Sequence, residues 1–125
     1  MKNKLTGVAL LIALMVVFTS CTSNSLYANA SAQNRDIATQ ALNIADDFLD
    51  GIISANVASN RVDNLADIDR DGHPANGIID GHISLLHTSL MMVIYDPVEQ
   101  NNDANWDTVL ERRNTIAEGL GLSTR

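Results

Sequence analysis

The distribution of apolar and polar positions divides the chain into one unbroken apolar run and several stretches of helical periodicity. The run covers residues 8–18, carries no charge and follows two lysines, Lys2 and Lys4. It is shorter than the roughly 17–25 residues that a helix needs to cross a bilayer. A basic start followed by a short apolar segment is typical of a secretory signal peptide, here residues 1–20.

The first helical stretch covers residues 34–55. Its apolar side chains recur at spacings of three and four residues, at Ile37, Ala41, Ile44, Phe48 and Ile52. Gly51 weakens the far end, because glycine costs about 1 kcal/mol relative to alanine in a helix interior. Val57, Val62 and Leu65 predict a further short helical piece leading into an acidic loop.

Two more helices are predicted, over residues 82–95 and 107–120. The first of them is apolar nearly all round, which is typical of a helix that is central in a bundle or covered by a partner. It ends before Pro97, because the residue that precedes a proline is pushed out of the helical region. Gly119 and Gly121 are suitable terminators for the second.

These patterns predict an all-α fold, a small bundle of about three main helices with a loop before the central helix. Residues 34–125 are enough for one small domain but not for two. Residues 21–33 are uncharged and rich in Ser, Asn and Ala, which is typical of a flexible tether. The expected organisation is therefore a signal peptide (1–20), a tether (21–33) and a helical domain (34–125).

Cys21 is the only cysteine of the chain, and it follows Phe18, Thr19 and Ser20. These four residues resemble the lipobox of bacterial lipoproteins, although leucine is commonest where Phe18 stands. The resemblance implies a lipid on Cys21 that anchors the chain in a membrane of the cell envelope. Thr22, in place of an aspartate, implies the outer membrane in a bacterium that has two. Two alternatives stay open: a cleaved signal that leaves a free thiol, a liability in an oxidising compartment, and an uncleaved anchor.

The charge balance restricts the possible partners. Removal of residues 1–20 takes both lysines and leaves six arginines against fifteen acids, a formal charge of −9. Such an acidic surface does not attract nucleic acid, and anionic lipid headgroups repel it. We therefore expect no nucleic-acid partner, and we expect the lipid rather than the protein surface to hold the chain to the membrane.

The string DIDRDG at residues 67–72 is the clearest candidate for a chemical site. Alternating carboxylates in a tight loop can point at one centre, and Ca²⁺ takes 6–8 oxygen ligands. Over about a fifth of the chain, this region resembles the EF-hand superfamily, specifically the loop-helix unit of dockerin-like modules. The resemblance implies Asp67, Asp69 and Asp71 as side-chain ligands of calcium. It also implies Asp80 as a further polar ligand, often acting through water.

The loop departs from the family pattern in two ways. Residues 73–76 form an insertion before Ile79, the hydrophobic loop position, and His82 or Ile83 stands where the closing acid belongs. Without that bidentate carboxylate the expected dissociation constant is roughly 10⁻⁴–10⁻³ M. The alternative is a solvated acidic turn, because Asp, Asn and Gly favour loops for local backbone reasons.

A second, poorer calcium loop is one interpretation of the polar residues that alternate before the last helix, Asn101, Asp103, Asn105 and Asp107. Trp106 replaces the loop glycine, so the sequence favours the other interpretation, a polar linker with helix caps. Similarly, His82 and His87 are five residues apart and point in different directions on a helix. We expect them to be partly exposed or hydrogen-bonded rather than to bind a metal with His73.

The sequence contains no phosphate loop, nucleophile elbow or convincing acid–base pair, so we expect no enzyme. The leading hypothesis is a cell-envelope lipoprotein whose calcium-ordered helical module is structural or contacts an envelope protein. The alternative is a calcium-independent helical lipoprotein that binds a protein or an apolar ligand. Residues 90–93 contain two methionines. Their exposure would favour the alternative, and their burial beside converging aspartates would favour the leading hypothesis.

Overall fold

The computed structural model describes residues 25–66, 76–96 and 102–125. Within these ranges the chain forms four helices and no strand. They are α1 (Ala32–Leu49), α2 (Ala55–Ala66), α3 (Asn76–Tyr95) and α4 (Asn102–Gly119). The predicted all-α class is confirmed, and the short helical piece predicted after residue 55 is a full helix, α2.

The predicted continuation of the first helix to residue 55 is wrong, because α1 ends at Leu49. Gly51 has a φ of 74°, and its N–H donates to the carbonyl of Phe48 at 3.0 Å. The N–H of Ile52 reaches back to the carbonyl of Asp47 at 2.8 Å. This pair of bonds is the glycine-dependent Schellman cap, so Gly51 terminates the helix rather than weakening it.

The start of α3 also differs from the prediction, since the helix begins at Asn76 instead of residue 82. Gly77 and Gly81 lower the intrinsic helix propensity of these first turns. Ile79, however, is fully buried, and burying such a side chain stabilises by roughly 1.5–3 kcal/mol. Burial therefore overrides local propensity, while the predicted end at Tyr95 is confirmed.

The last helix, α4, begins five residues earlier than predicted and ends at Gly119. Its Schellman cap is made by Gly121, at a φ of 74°, whose N–H donates to Glu118, while Leu122 donates to Ala117. Of the two glycines predicted as terminators, Gly121 therefore has that role.

The core lies where α3 packs against the other three helices. Small residues on the inner face of α1, among them Ala38, Ala41 and Ala45, are completely buried. The larger core side chains are Ile37, Phe48, Val62, Ile79, Leu86, Leu90, Val109 and Ile116. The nearly all-round apolar character of α3 is thus explained in part by its central position.

The segment before α1 is packed on the bundle. Tyr27 is 1% exposed and Ala30 is also buried, and the N–H of Tyr27 donates to the carbonyl of Gly119 at 2.8 Å. Ser31 then caps α1, with its hydroxyl oxygen accepting from the N–H of Asn34. Residues 25–33 thus differ from the expected tether over 21–33: they belong to the folded body.

Candidate functional site

The predicted calcium loop falls between two helices that pack against each other. Asp67, Asp69 and Asp71 lie outside the described residues. The helix before them, α2, ends at Ala66, and the helix after them, α3, begins at Asn76. Because α2 and α3 are in contact, the acidic string joins two packed helices, which is the general layout of a helix–loop–helix calcium unit.

The resemblance implied that Asp80 lies in a loop before the helix, but Asp80 lies within α3. It is the fifth residue of α3 and is exposed, while Ile79, the expected hydrophobic loop position, is in the core. Counted without allowance for the insertion at residues 73–76, the twelfth position from Asp67, where a family loop carries its bidentate acid, is Ile78 in the first turn of α3. With that allowance, the closing position is His82 or Ile83, which also lie in α3. Two residues along a helix turn about 200° around its axis. Asp80 therefore points to a different side of α3 from Ile78 and His82, each of which is two residues away.

The second candidate loop is helical where the structure describes it. Asp103, Asn105 and Asp107 lie in the first turns of α4, and Asn101 lies outside the described residues. Side chains two apart on a helix diverge, so these three cannot converge on one ion, and the calcium-loop interpretation is wrong over this stretch. Asn105 is buried instead, and its amide donates to a carboxylate oxygen of Asp96 at 2.7 Å. It therefore joins the start of α4 to the end of α3.

The histidines on α3 do not share a metal site with other described residues. No three His, Cys, Asp or Glu side chains come together within residues 25–66, 76–96 and 102–125. His82 is half-buried and its Nδ1 is hydrogen-bonded to the hydroxyl of Tyr27, which agrees with the expectation of a hydrogen-bonded histidine. His73 lies outside the described residues.

Tyr27 is the side chain that holds the N-terminal segment to the body, and the sequence pattern did not reveal it. Its ring lies over Gly119, where an added Cβ would come within 2.7 Å of three ring atoms. The absence of a side chain at Gly119 therefore makes room for the Tyr27 ring, and Gly119 does not act as the helix terminator. The available signal was the lone aromatic residue in an otherwise small and polar stretch.

Burial sets the protonation of this pair. It raises the pKa of the Tyr27 phenol to about 12, so the hydroxyl keeps its hydrogen. Burial, with a smaller effect from the positive charge of Arg112, lowers the pKa of His82. The neutral imidazole therefore accepts the hydrogen of the Tyr27 hydroxyl at Nδ1.

An ionic cluster joins α1 to α4 and to the C-terminal residues. Nε of Arg113 donates to Oδ1 of Asp46 at 2.9 Å and Nη2 donates to Oδ2 at 3.1 Å. Nη1 of Arg125 donates to the same carboxylate at 2.9 Å. Burial alone would raise the pKa of Asp46, but the hydrogen bonds from the two arginines outweigh it and lower the pKa. The carboxylate and the two guanidinium groups form hydrogen bonds with one another. The cluster therefore stabilises the packing of α1 against α4 and has no free reactive group.

The methionine-containing stretch at residues 90–93 is divided between core and surface. Leu90 is fully buried, and Val93 packs against the core. Met91 is half-buried, with its sulfur accepting a hydrogen bond from Ser59 at 3.1 Å. Met92 is 47% exposed. The stretch therefore does not decide between the two functional hypotheses.

A longer apolar surface runs along the side of α3 that faces away from the bundle. We call it the outer stripe. All its members are exposed: Ile78, Gly81, Leu85, Thr88, Met92 and Tyr95. Its four large side chains are between 43% and 74% exposed. No described residue covers this surface. A helix that is apolar nearly all round predicts either a central position in the bundle or a covering partner, and the outer stripe is the part that the central position does not explain.

A shallow groove of about 510 Å³ lies between α1 and α2. Five of its seven lining residues are polar or charged; the seven are Gln40, Asn43, Ile44, Asp47, Arg61, Asn64 and Leu65. The groove is open to solvent, and Gln40 is already hydrogen-bonded to Asp36 on its own helix. Nothing in its arrangement selects a particular ligand.

Among the described residues, α3 is the one helix that is long and apolar enough to cross a membrane. This inference of a membrane span rests on length and composition alone, and the core helix of a soluble protein meets the same two criteria. Because the inner face of α3 packs against three other helices, this is weak support for a membrane span.

Comparison of the chain with protein-family models, with curated proteins and with solved structures found no match.

Proposed function

We propose that the chain is a non-enzymatic lipoprotein of the bacterial cell envelope, anchored through a lipid on Cys21. Its helical body contains a calcium loop in which Asp67, Asp69 and Asp71 supply carboxylate oxygens. The ion orders the junction between α2 and α3. The role of the module is structural, or it presents a surface to another envelope protein.

The observation that carries the calcium proposal is the position of the acidic string between two packed helices. α2 ends at Ala66 and α3 begins at Asn76, so the three aspartates lie within a short connection. Carboxylates brought together there repel one another, and a cation would relieve that repulsion and hold the connection in one conformation. The absence of a closing carboxylate at Ile78, His82 or Ile83 keeps the expected affinity weak.

Thermal unfolding of residues 22–125 with and without calcium tests this proposal, because this span contains every described residue. A dissociation constant of ~0.1 mM and a free calcium concentration of about 1 mM would stabilise the fold by about 1.4 kcal/mol. For a domain of this size, that shift corresponds to several degrees in Tm. The expected result is a rise with Ca²⁺ over chelator that Mg²⁺ does not reproduce.

Two aspartate variants assign the effect to the loop. Asp69→Ala should abolish the calcium-dependent rise and change the metal-free Tm little. Asp63→Ala is the matched control, because Asp63 is an exposed acid of α2 close to the loop and its loss removes the same charge. Equal responses in both variants and the parent would show that calcium acts elsewhere or through general screening.

The lipid proposal is tested independently in a bacterial host. The full chain should incorporate a labelled fatty acid and partition with membranes, whereas Cys21→Ser should do neither. A Cys21→Ser chain that still incorporates label would contradict the assignment of the lipid to Cys21.

The second candidate function is a calcium-independent helical lipoprotein that binds a protein or an apolar ligand. The outer stripe of α3 is the specific observation that favours it, since an exposed apolar patch on a soluble protein commonly marks an interaction surface. Superimposable melts with calcium and with chelator would shift the proposal to this candidate.

A further inference from the structure

We propose that the outer stripe of α3 is the contact surface between two copies of this chain, which pack as antiparallel helices about a twofold axis. The stripe uses neither the calcium loop nor Cys21, so this inference goes beyond the proposed function and does not depend on it. Its basis is the spacing, size and charge of the residues that α3 leaves exposed.

The spacing is that of a helix-pairing seam. Ile78, Leu85 and Met92 are seven residues apart, and Gly81, Thr88 and Tyr95 repeat the same interval three residues later. These are the a and d positions of a heptad, which face the partner helix in a coiled coil. The inner face of α3 is already covered by α1, α2 and α4, so the seam is a second, separate packing surface on the same helix.

An antiparallel pair with its axis between residues 86 and 87 uses every position of the seam. The facing pairs are Ile78 with Tyr95, Leu85 with Thr88, and Met92 with Gly81. Each contact occurs twice, as in any isologous interface. The pairing is also complementary in size, because a Cβ placed at Gly81 would have nothing within 4 Å and the partner's Met92 can fill that space. A parallel pair would instead place Gly81 against Gly81 and leave a gap.

Charge favours contact at this surface over the rest of the molecule. The chain has a formal net charge of −7, and none of the six stripe residues is charged. Two acidic molecules repel each other less along an uncharged surface than elsewhere. Asp80 is the nearest acid on the helix, and it lies at the edge of the stripe, about a quarter turn from its centre.

The available area sets the expected strength of association. A 20-residue helix is about 30 Å long and, with its side chains, about 10–12 Å wide. With these dimensions, two such helices in contact bury on the order of 500 Å² on each copy. The total of about 1,000 Å² is at the lower limit for a specific interface. We therefore expect a reversible dimer whose population depends on concentration in the micromolar range or above.

Sedimentation velocity of residues 22–125, from about 1 μM to about 1 mM, tests the proposal. The expected result is a weight-average mass that rises from monomer to dimer and no further, because a twofold interface is closed. A monomer at every concentration would overturn the proposal. If such a monomer bound zwitterionic phosphatidylcholine vesicles through Leu85, the stripe would be a lipid-facing surface instead.

Leu85→Glu locates the interface. It places like charges close to each other across the axis, and we expect the dissociation constant to rise on the order of a hundredfold. Asn60→Glu is the matched control, since it adds the same charge at an exposed position of α2 and should leave dimerisation unchanged. Circular dichroism establishes that both variants fold. Equal dimerisation of Leu85→Glu and the parent would place the interface elsewhere.

Cross-linking tests the orientation of the helices. Residues 22–125 contain no cysteine, so a mixture of Gly81→Cys and Met92→Cys chains has only the introduced thiols. Under mild oxidation the antiparallel pair predicts that the mixed disulfide forms faster than either homodisulfide. Faster formation of the Gly81→Cys homodisulfide would support a parallel pair and contradict the proposed register.

Discussion

The two faces of α3 have similar composition and opposite surroundings. The inner face presents Ile79, Ile83, Leu86 and Leu90 to the other helices, and all four are buried. The outer stripe presents Ile78, Leu85 and Met92 at similar spacing, and all three are between 43% and 47% exposed. Within the described part of the chain, the inner face is the one that packs against other helices and so stabilises the single chain. The outer face is available for a contact that forms after folding, so the apolar content of one helix serves two separable purposes.

The largest expected difference between the two faces comes from shortening two adjacent leucines, Leu86 and Leu85. Leu86→Ala removes a fully buried side chain and should lower the free energy of unfolding by about 2–5 kcal/mol, from lost burial and the cavity left behind. Leu85→Ala, on the outer stripe, should cost less than about 1 kcal/mol while weakening self-association. Chemical denaturation below the dimerisation range measures both. Equal losses would mean that the outer stripe is covered in the monomer.

Two glycines, Gly119 and Gly81, give a second and smaller contrast. The space beside Gly119 is filled by a side chain, and the space beside Gly81 is open. Gly119→Ala forces a Cβ into the Tyr27 ring, and displacing that ring should cost about 1–3 kcal/mol. Gly81→Ala meets nothing within 4 Å, so the better helix propensity of alanine should stabilise the monomer by up to about 1 kcal/mol. Opposite shifts in Tm are therefore expected from the same substitution, and shifts of one sign would contradict the assigned surroundings.

The smallest expected effect is a pH dependence from the Tyr27–His82 contact. Burial lowers the pKa of His82 in the folded chain, so the unfolded chain takes up its proton first. Stability is then complete above the unfolded pKa of about 6.5. It is lost as the pH falls from there through the lowered pKa. Thermal melts between about pH 7 and pH 5 should show this decrease, which His82→Gln should reduce.

His87→Gln is the control for that measurement, because it removes a histidine from the same helix and keeps the Tyr27 contact. A pH dependence that survives His82→Gln and disappears with His87→Gln would contradict the assignment. The pKa of Asp46 is also lowered, so its ion pairs are lost only as the pH falls below about 3.9. The two effects therefore fall in separate pH ranges.

The fold class and the approximate positions of the helices were predictable from apolar periodicity, but the boundaries depended on competing local effects. The sequence predicts that Gly51 weakens a helix, and only the positive φ of Gly51 shows that it ends one. Asn76–Gly81 lacked any local preference for helix, and burial of Ile79 decided the outcome. Tyr27 has its role because of Gly119, which is distant in sequence. A periodic pattern does not encode such a pair.

The candidate site was less predictable than the fold. DIDRDG is a local signal, so it could be found without knowledge of the tertiary structure. The position of Asp80 on an exposed side of α3 follows from where that helix begins, which is a tertiary effect. Periodicity located the apolar residues of α3 but could not say which of its two faces the remaining helices would cover.

The packing of Tyr27 has a consequence for how close an anchored molecule sits to its bilayer. The first described residue is Ser25, and four peptide units separate it from a lipid on Cys21. Even if it were fully extended, this connecting segment would span only about 14 Å, slightly more than the width of one helix. The clearance beneath the protein is too small for a globular domain. Under the proposed anchoring, neighbouring proteins therefore contact the domain at its sides, parallel to the membrane, or at the surface that faces away from the membrane.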